Sequence, residues 1–425
     1  LVAGVDKDSR TLPAGALYVA LPGERVDGHD FVGALVGRAA AALVARRLDC
    51  ALPQIVVPDV LTALQALARQ WLARMPATVV ALTGSNGKTT TKTLTAAMLS
   101  RCAPTHATPG NYNNEIGVPL TVLGLAPGHR FAVVEMGCGK PGDIDELAAI
   151  APPHVAGITN IGPAHLERLG SIEGVSREKA GVYRGLRPGG TAVIPADDAF
   201  ANYLASEAGE QRLLRFAIEA EAEVRARVLV VGTVSRFRLD TPAGSRAIEL
   251  PLPGRHNVHN ALCAASMALA AGADLDAIAA ALAEARPVAG RQRRLELRGA
   301  VLYDDSYNAN PGSLAAAIET LALAPAPRWL VLGDMAELGP NASELHRRCG
   351  ELARLRGIER AYALGPLSAA AAAAFGSGAR HYAQIEELTD ALDHDLAPGV
   401  TVLIKGSRSA RMERVLTALG GTALE

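Results

Sequence analysis

The chain has 425 residues, enough for two to four domains, and 49% of them are apolar, ample for several buried cores. Lysine and arginine number 42 against 43 acids, and aromatics are only 4%; this balance excludes a basic nucleic-acid face, a base-stacking platform and a polybasic membrane patch. Five scattered cysteines without C-x-x-C spacing argue against a disulfide or zinc scaffold, and no apolar run reaches the ~18 residues that span a bilayer, so a cytoplasmic protein without membrane insertion is expected.

Residues 1–76 read as a small mixed α/β domain, with strands at 16–21, 42–45 and 55–57 and a helix over 60–74. A central domain, 77–288, carries apolar runs at 78–82, 131–134, 155–159 and 191–194. Each run ends in a polar or glycine-rich loop, with helical patterns between, which predicts βαβ crossovers and a parallel sheet of P-loop ATPase type. Shorter alternating strands over 212–252 predict an antiparallel edge, and helices over 257–285 close the domain. A linker at 286–290 leads into a C-terminal domain, 289–425, with strand runs at 300–303, 329–332, 361–364 and 400–404. The expected fold is therefore α/β in three domains, the last a Rossmann-like doubly wound sheet.

The densest chemical signal lies between the first central strand and the helix after it, Thr83-Gly84-Ser85-Asn86-Gly87-Lys88-Thr89-Thr90. Strand, glycine-rich turn, Lys-Thr and helix make a phosphate cradle, because backbone N–H groups of the turn and the helix N-terminus point at phosphate oxygens. Lys88 would neutralise the β/γ-phosphates and the Thr89 hydroxyl would ligate Mg²⁺. Two residues, where the common loop has four, separate Gly84 from Gly87-Lys88.

In open α/β sheets, ligands sit beyond the carboxyl ends of the strands. Glu135 follows one such end, where a carboxylate gives Mg²⁺ a second anchor; the plainer alternative is a surface or capping acid. His165, in Asn160-Ile161-Gly162-Pro163-Ala164-His165, is a ligand or a packed loop histidine. Asn111-Tyr112-Asn113-Asn114-Glu115 is a polar cluster or a turn. Asp304-Asp305-Ser306-Tyr307-Asn308-Ala309-Asn310-Pro311 is a strand-end site or a turn with a helix N-cap. Lys405-Gly406-Ser407-Arg408-Ser409 offers two cations suited to a carboxylate or phosphate. Lys179, read bare, is an exposed helix lysine.

Together these motifs resemble the Mur ligases of bacterial cell-wall synthesis, in which the phosphate loop is shortened in this way. Asp8-Ser9-Arg10, the 23–31 segment, Asn113-Asn114-Glu115-Ile116-Gly117-Val118-Pro119, Glu135-Met136-Gly137, Gly333-Asp334-Met335-Ala336-Glu337-Leu338-Gly339 and the runs at 160–165, 304–311 and 405–409 span nearly the whole chain in family order. The resemblance implies an ATP-dependent ligase with two Mg²⁺ ions, whose partners are UDP-MurNAc-tripeptide and D-Ala-D-Ala. It implies that Gly84, Ser85, Asn86, Gly87, Lys88, Thr89 and Thr90 hold the nucleotide phosphates and that Asn257 and Asn260 address the adenine. Arg291 or Arg294, with Asp305, would reach the nucleotide from the third domain. Thr89, Glu135, His165 and Lys179 would hold metal, Lys179 as a carbamate, since charge reversal turns a repelled ammonium into a ligand. Lys88, His165 and Lys179 are the implied catalytic residues. Ser9 and Arg10, with the 23–31 segment, would hold the uridine diphosphate end, Asn308, Asn310, Lys405 and Arg408 the dipeptide, and Asn113 and Asn114 are further substrate residues. A monomer is expected, with a family N-terminal stretch preceding Leu1. A sister amino-acid-adding ligase or a folylpolyglutamate synthase would share the central domain, but the 113–119 and 304–311 runs argue against both. A nucleotide-binding module without ligase chemistry would bind ATP and release no phosphate. Whether the tripeptide ends in lysine or diaminopimelate is open.

Overall fold

The computed structural model describes residues 2–23 and 26–420. Glu24 and Arg25, part of the expected uridine-diphosphate segment, lie outside the described residues.

Three sheets organise the chain. The first is four-stranded and parallel, β1 (Val5–Asp6), β2 (Leu17–Val19), β3 (Ala41–Val44) and β4 (Gln54–Val56), in that order. The helix Val60–Leu72 is capped by Asp59, whose side chain accepts from the Thr62 amide. It joins two cores: Val60 and Leu64 pack on the first sheet, Ala68 and Leu72 on the second.

The second sheet has nine strands in the order β13-β12-β11-β10-β9-β8-β5-β7-β6. Their ranges are β5 (Thr78–Thr83), β6 (Thr105–Ala107), β7 (Phe131–Glu135), β8 (Val155–Ile158), β9 (Thr191–Pro195), β10 (Arg212–Ala217), β11 (Val224–Val230), β12 (Ser235–Thr241) and β13 (Gly244–Leu250). β5, β7 and β8 are near-continuous apolar runs because helices cover both faces, as a parallel sheet requires. Each fully buried Val or Leu among them contributes ~1.5–3 kcal/mol. The antiparallel edge is narrower than the sequence pattern suggests. β10 runs parallel to β9, since the helix Ala201–Glu207 carries the chain back between them, and only β11, β12 and β13 are joined antiparallel.

The third sheet runs β14 (Arg293–Leu297), β15 (Ala300–Asp305), β19 (Thr401–Lys405), β16 (Arg328–Gly333), β17 (Arg360–Leu364), β18 (Ala379–Tyr382), with β14 alone antiparallel. No helix among the described residues is long and apolar enough to cross a membrane.

These orders position the chemistry. β5 lies between β8 and β7, so the phosphate loop, Asn160 and Glu135 share one rim. β19 lies between β15 and β16, which puts Asp305, Lys405 and Asp334 on a second rim.

Candidate active site

The phosphate loop owes its shape to two glycines. Gly84 (φ 151) and Gly87 (φ 80) have positive φ, and a Cβ would stand 1.8 Å from Thr159 Oγ1 at the first and 2.1 Å from Asn260 Oδ1 at the second. The loop is stapled to the segment after β8. The Asn86 amide donates to Asn160 Oδ1 (3.1 Å), Asn160 Nδ2 donates to the Asn86 carbonyl (3.0 Å), and Ser85 Oγ donates to the Gly162 carbonyl (2.9 Å). Lys88 opens the helix Lys88–Ser100 and curls back, donating from Nζ to the Gly84 carbonyl at 2.6 Å. Burial, then the neighbouring Lys179 charge, pushes its pKa down to about 8.

Glu135 closes β7 and is buried. Its Oε1 accepts from Asn113 Nδ2 at 2.8 Å and stands 3.5 Å from Thr89 Oγ1. Its Oε2 takes no hydrogen bond and faces buried Lys92 Nζ at 3.5 Å. A buried carboxylate with one oxygen beside a threonine hydroxyl and the other without a hydrogen-bond donor fits a hard cation such as Mg²⁺, which takes few protein ligands and completes its shell with water and phosphate. No cluster of three or more His, Cys, Asp or Glu ligands occurs among the described residues, so an all-protein cage is not what the site offers.

Two clefts meet at this point. The larger, about 980 Å³, runs from the phosphate loop past Asn257 and Asn260 to the C-terminal helix Pro311–Ala322. The smaller, about 470 Å³, is walled by Asn113, Asn114, Glu135, Cys138, His165, Arg168 and Tyr307. Lys88, Arg291 and Asn308 line both. The volume and phosphate loop of the first suit a nucleotide; the second opens where a terminal phosphate would emerge. Hydrogen bonds from the C-terminal domain reach the phosphate loop and the helix after it. Arg291 Nη2 donates to Thr89 Oγ1 (3.2 Å) with its guanidinium over the Tyr307 ring, and Asn310 Nδ2 donates to Asn86 Oδ1 (2.8 Å).

Three family models match along the chain: the "Mur ligase family, catalytic domain" over residues 1–72, the "Mur ligase middle domain" over 82–268 and the "Mur ligase, glutamate ligase domain" over 290–408. The chain belongs to the Mur ligase family. It is 44% identical over 421 residues, 98% of this chain and 93% of the relative, to the UDP-N-acetylmuramoyl-tripeptide–D-alanyl-D-alanine ligase of Escherichia coli. A crystal structure of MurF from Acinetobacter baumannii superposes with a TM-score of 0.93 at 34% identity, covering 98% of this chain and 93% of that one. MurF from Thermotoga maritima in complex with ADP gives 0.86 at 29% identity, covering 98% and 96%.

Other expected residues of this Mur ligase are disposed less simply. Lys179 is not an exposed helix lysine: it ends the helix Ile172–Lys179 at 1% exposure, behind the smaller cleft, with Cys138 Sγ at 3.4 Å as its hydrogen-bond partner among the described residues. Its helix turns it inward because Glu178 accepts from the Gly142 and Ile144 amides at 2.7 and 2.8 Å. Lys405 is not a free cation. It is buried, bonded to Asp305 Oδ2 at 2.6 Å and the Asn308 carbonyl at 2.9 Å. Burial raises the Asp305 pKa and Lys405 opposes it. Arg408 lines neither cleft and pairs with Glu413 at 3.1 Å. Arg294 pairs with Glu296 on the edge strand, away from both clefts, whereas Arg291 lies at the junction. Asn257 donates to the Pro253 carbonyl and Asn260 to Asn257, fixing both amides at the wall of the larger cleft. Ser9 and Arg10 lie in the first domain on neither cleft, and Arg10 folds back on Asp8 at 2.7 Å.

His165 sits on left-handed backbone (φ 54) with Nδ1 2.5 Å from Glu337 Oε2. Burial, then the Lys179 charge, lowers its pKa, and Glu337 opposes them. Sequence reasoning missed Glu337, Lys92, Cys138 and Arg168. Glu337 sat inside a motif already noticed; the other three carry no local signal.

Proposed function

We propose that this Mur ligase joins the amine of D-alanyl-D-alanine to the terminal carboxylate of UDP-N-acetylmuramoyl-tripeptide, with ATP as phosphoryl donor. The carboxylate takes the γ-phosphoryl group, giving an acyl phosphate and ADP; the dipeptide amine attacks that carbonyl, and phosphate leaves as the amide forms. The observation that carries this reading is the position of Lys88 and Arg291 on the wall common to both clefts, where donor and acceptor would meet at fixed positive charge. Full-length likeness to a ligase of this specificity supports the choice of substrates.

Each residue would act through its charge and placement. The loop 84–90 and Arg291 hold the phosphates, and Asn257 and Asn260 address the base. Thr89 and Glu135 would hold one Mg²⁺, and His165 with Lys179 a second, each supplying charge neutralisation to the phosphates. Lys179 serves there as a carbamate: an ammonium at 1% exposure without a carboxylate partner among the described residues is unfavourable, and carbamylation reverses the charge to an anion that the bound cation would offset. Of the two C-terminal cations, Arg408 is the more readily freed for the dipeptide carboxylate, by leaving an exposed pair with Glu413, since Lys405 is held in a buried pair with Asp305. Residues 1–76, 77–288 and 289–425 divide the work into uridine-nucleotide binding, ATP binding and dipeptide delivery, in the cytoplasm where ATP is at hand.

The test is ADP release from the protein, ATP, Mg²⁺ and both acceptor substrates, with each left out in turn. Release without the dipeptide at the full rate, or equal rates with L-lysine or D-glutamate in its place, would sink the assignment.

A further inference from the structure

Two residues with left-handed backbone, one from each of two domains, meet beside the smaller cleft. His165 (φ 54) follows β8 and Glu337 (φ 60) follows β16. Non-glycine residues hold such backbone where their surroundings over-determine it, and such positions gather at functional sites. The side chains touch through His165 Nδ1 and Glu337 Oε2 at 2.5 Å. A second bond crosses beside it, from the Glu167 amide to the Glu337 carbonyl at 3.4 Å. His165 lines the smaller cleft, and its ring Nε2 makes no hydrogen bond among the described residues.

The plain reading is an ion pair at the surface, and such pairs add little stability. The geometry says more. A carboxylate that accepts the Nδ1 proton selects the tautomer with a lone pair on Nε2 and holds the ring plane. Glu337 can do this only while the C-terminal domain is docked against the central one.

We infer that Glu337 is a positioning residue, which sets the tautomer and orientation of His165 when the domains close, so that the cleft gains an inward lone pair only in the docked arrangement. The inference rests on the ligase reading above. Its consequence is that an open enzyme is not set for phosphoryl transfer, which protects a hydrolysable acyl phosphate from being made where water has access.

The experiment compares full-length wild type, Glu337→Ala and Glu337→Gln by steady-state ADP formation and by ¹⁵N spectra of histidine-labelled protein, with His165→Gln used to assign the ring signals. Glu337→Ala should lower kcat by ~10–100-fold, the scale for losing the group that orients a ligating histidine, leave the ATP KM unchanged, and move the His165 proton off Nδ1. Glu337→Gln, whose amide oxygen still accepts from Nδ1, should keep the tautomer and most of the rate. An unchanged tautomer in Glu337→Ala, or a loss seen only in ATP KM, overturns the inference. Should the alanine variant not fold, a Glu337→Gln protein with the ring proton on Nε2 and full kcat overturns it equally. A wild type that makes no ADP with all three substrates would instead remove the ligase reading, and the ring tautomer would still report on Glu337.

Discussion

Replacing Glu135 by alanine separates the structural role of that carboxylate from its role toward Mg²⁺. The side chains of Glu135 and Lys92 are 2% and 7% exposed, 3.5 Å apart. Deleting one partner of a buried pair costs about 3–5 kcal/mol, because the other charge stays behind without compensation. Lys92 can limit the loss by giving up its proton; neutralising an ordinary lysine at pH 7 costs about 5 kcal/mol. Burial already lowers the Lys92 pKa, with Glu135 as the main opposing influence, and the Gly110 carbonyl at 2.8 Å remains as a partner. The lower end, ~3 kcal/mol, is therefore expected. Lys92→Met in the same chain removes the stranded charge and should return most of that stability, but no activity, since Thr89 is left alone at the metal position. Urea unfolding of wild type, both single variants and the double variant gives the coupling directly, and ADP release gives the rate. If the double variant is no more stable than Glu135→Ala, the stranded-charge account is wrong. If Glu135→Ala turns over normally, Glu135 does not hold metal.

In protein whose Lys179 is not carbamylated, the Lys88 amine, with its pKa pushed down to about 8 by burial and the Lys179 charge, is charged below that pH and neutral above it. ADP affinity of the free enzyme should thus fall as pH rises from 7 to 9, and Lys88→Ala should abolish that dependence and cut turnover by at least ~10²-fold; a flat calorimetric profile for wild type counts against it. Arg408→Ala should raise the dipeptide KM well above any change in ATP KM, with stability within ~0.5 kcal/mol of wild type. Lys405→Ala should instead destabilise by about 3–5 kcal/mol, because it strands Asp305; denaturation midpoints that rank the two variants the other way would reverse the assignment. Lys179→Ala should be nearly inactive and partly restored by acetate, and intact-protein mass spectra should show a carbamate on the wild type under carbon dioxide. Normal turnover of Lys179→Ala would remove that lysine from the site.

Much of this protein is decided locally. Apolar runs bounded by glycine and polar loops dictated the central and C-terminal strands, because a strand buried on both faces has no other composition open to it. Thr83 to Thr90 declared its own function: a phosphate loop is built from the backbone of consecutive residues, so its glycines and Lys-Thr lie side by side in the chain. The edge strands Arg293–Leu297 and Ala379–Tyr382 were not legible, since an edge exposed to water tolerates charge and loses the apolar signature.

What only the tertiary structure decided is which charge is spent on which partner. Lys405 and Arg408 look alike in sequence, yet β19 lies beside β15, and that adjacency buries Lys405 against Asp305 while Arg408 stays at the surface. Lys179 reads as solvated until Glu178 binds two amides of a neighbouring helix and turns the lysine inward. His165 and Glu337 are 172 positions apart and meet only because two sheets present their carboxyl ends to each other. Electrostatic pairing acts over a few ångströms of space and is indifferent to separation along the chain, so the sequence can supply the charges but not their assignment.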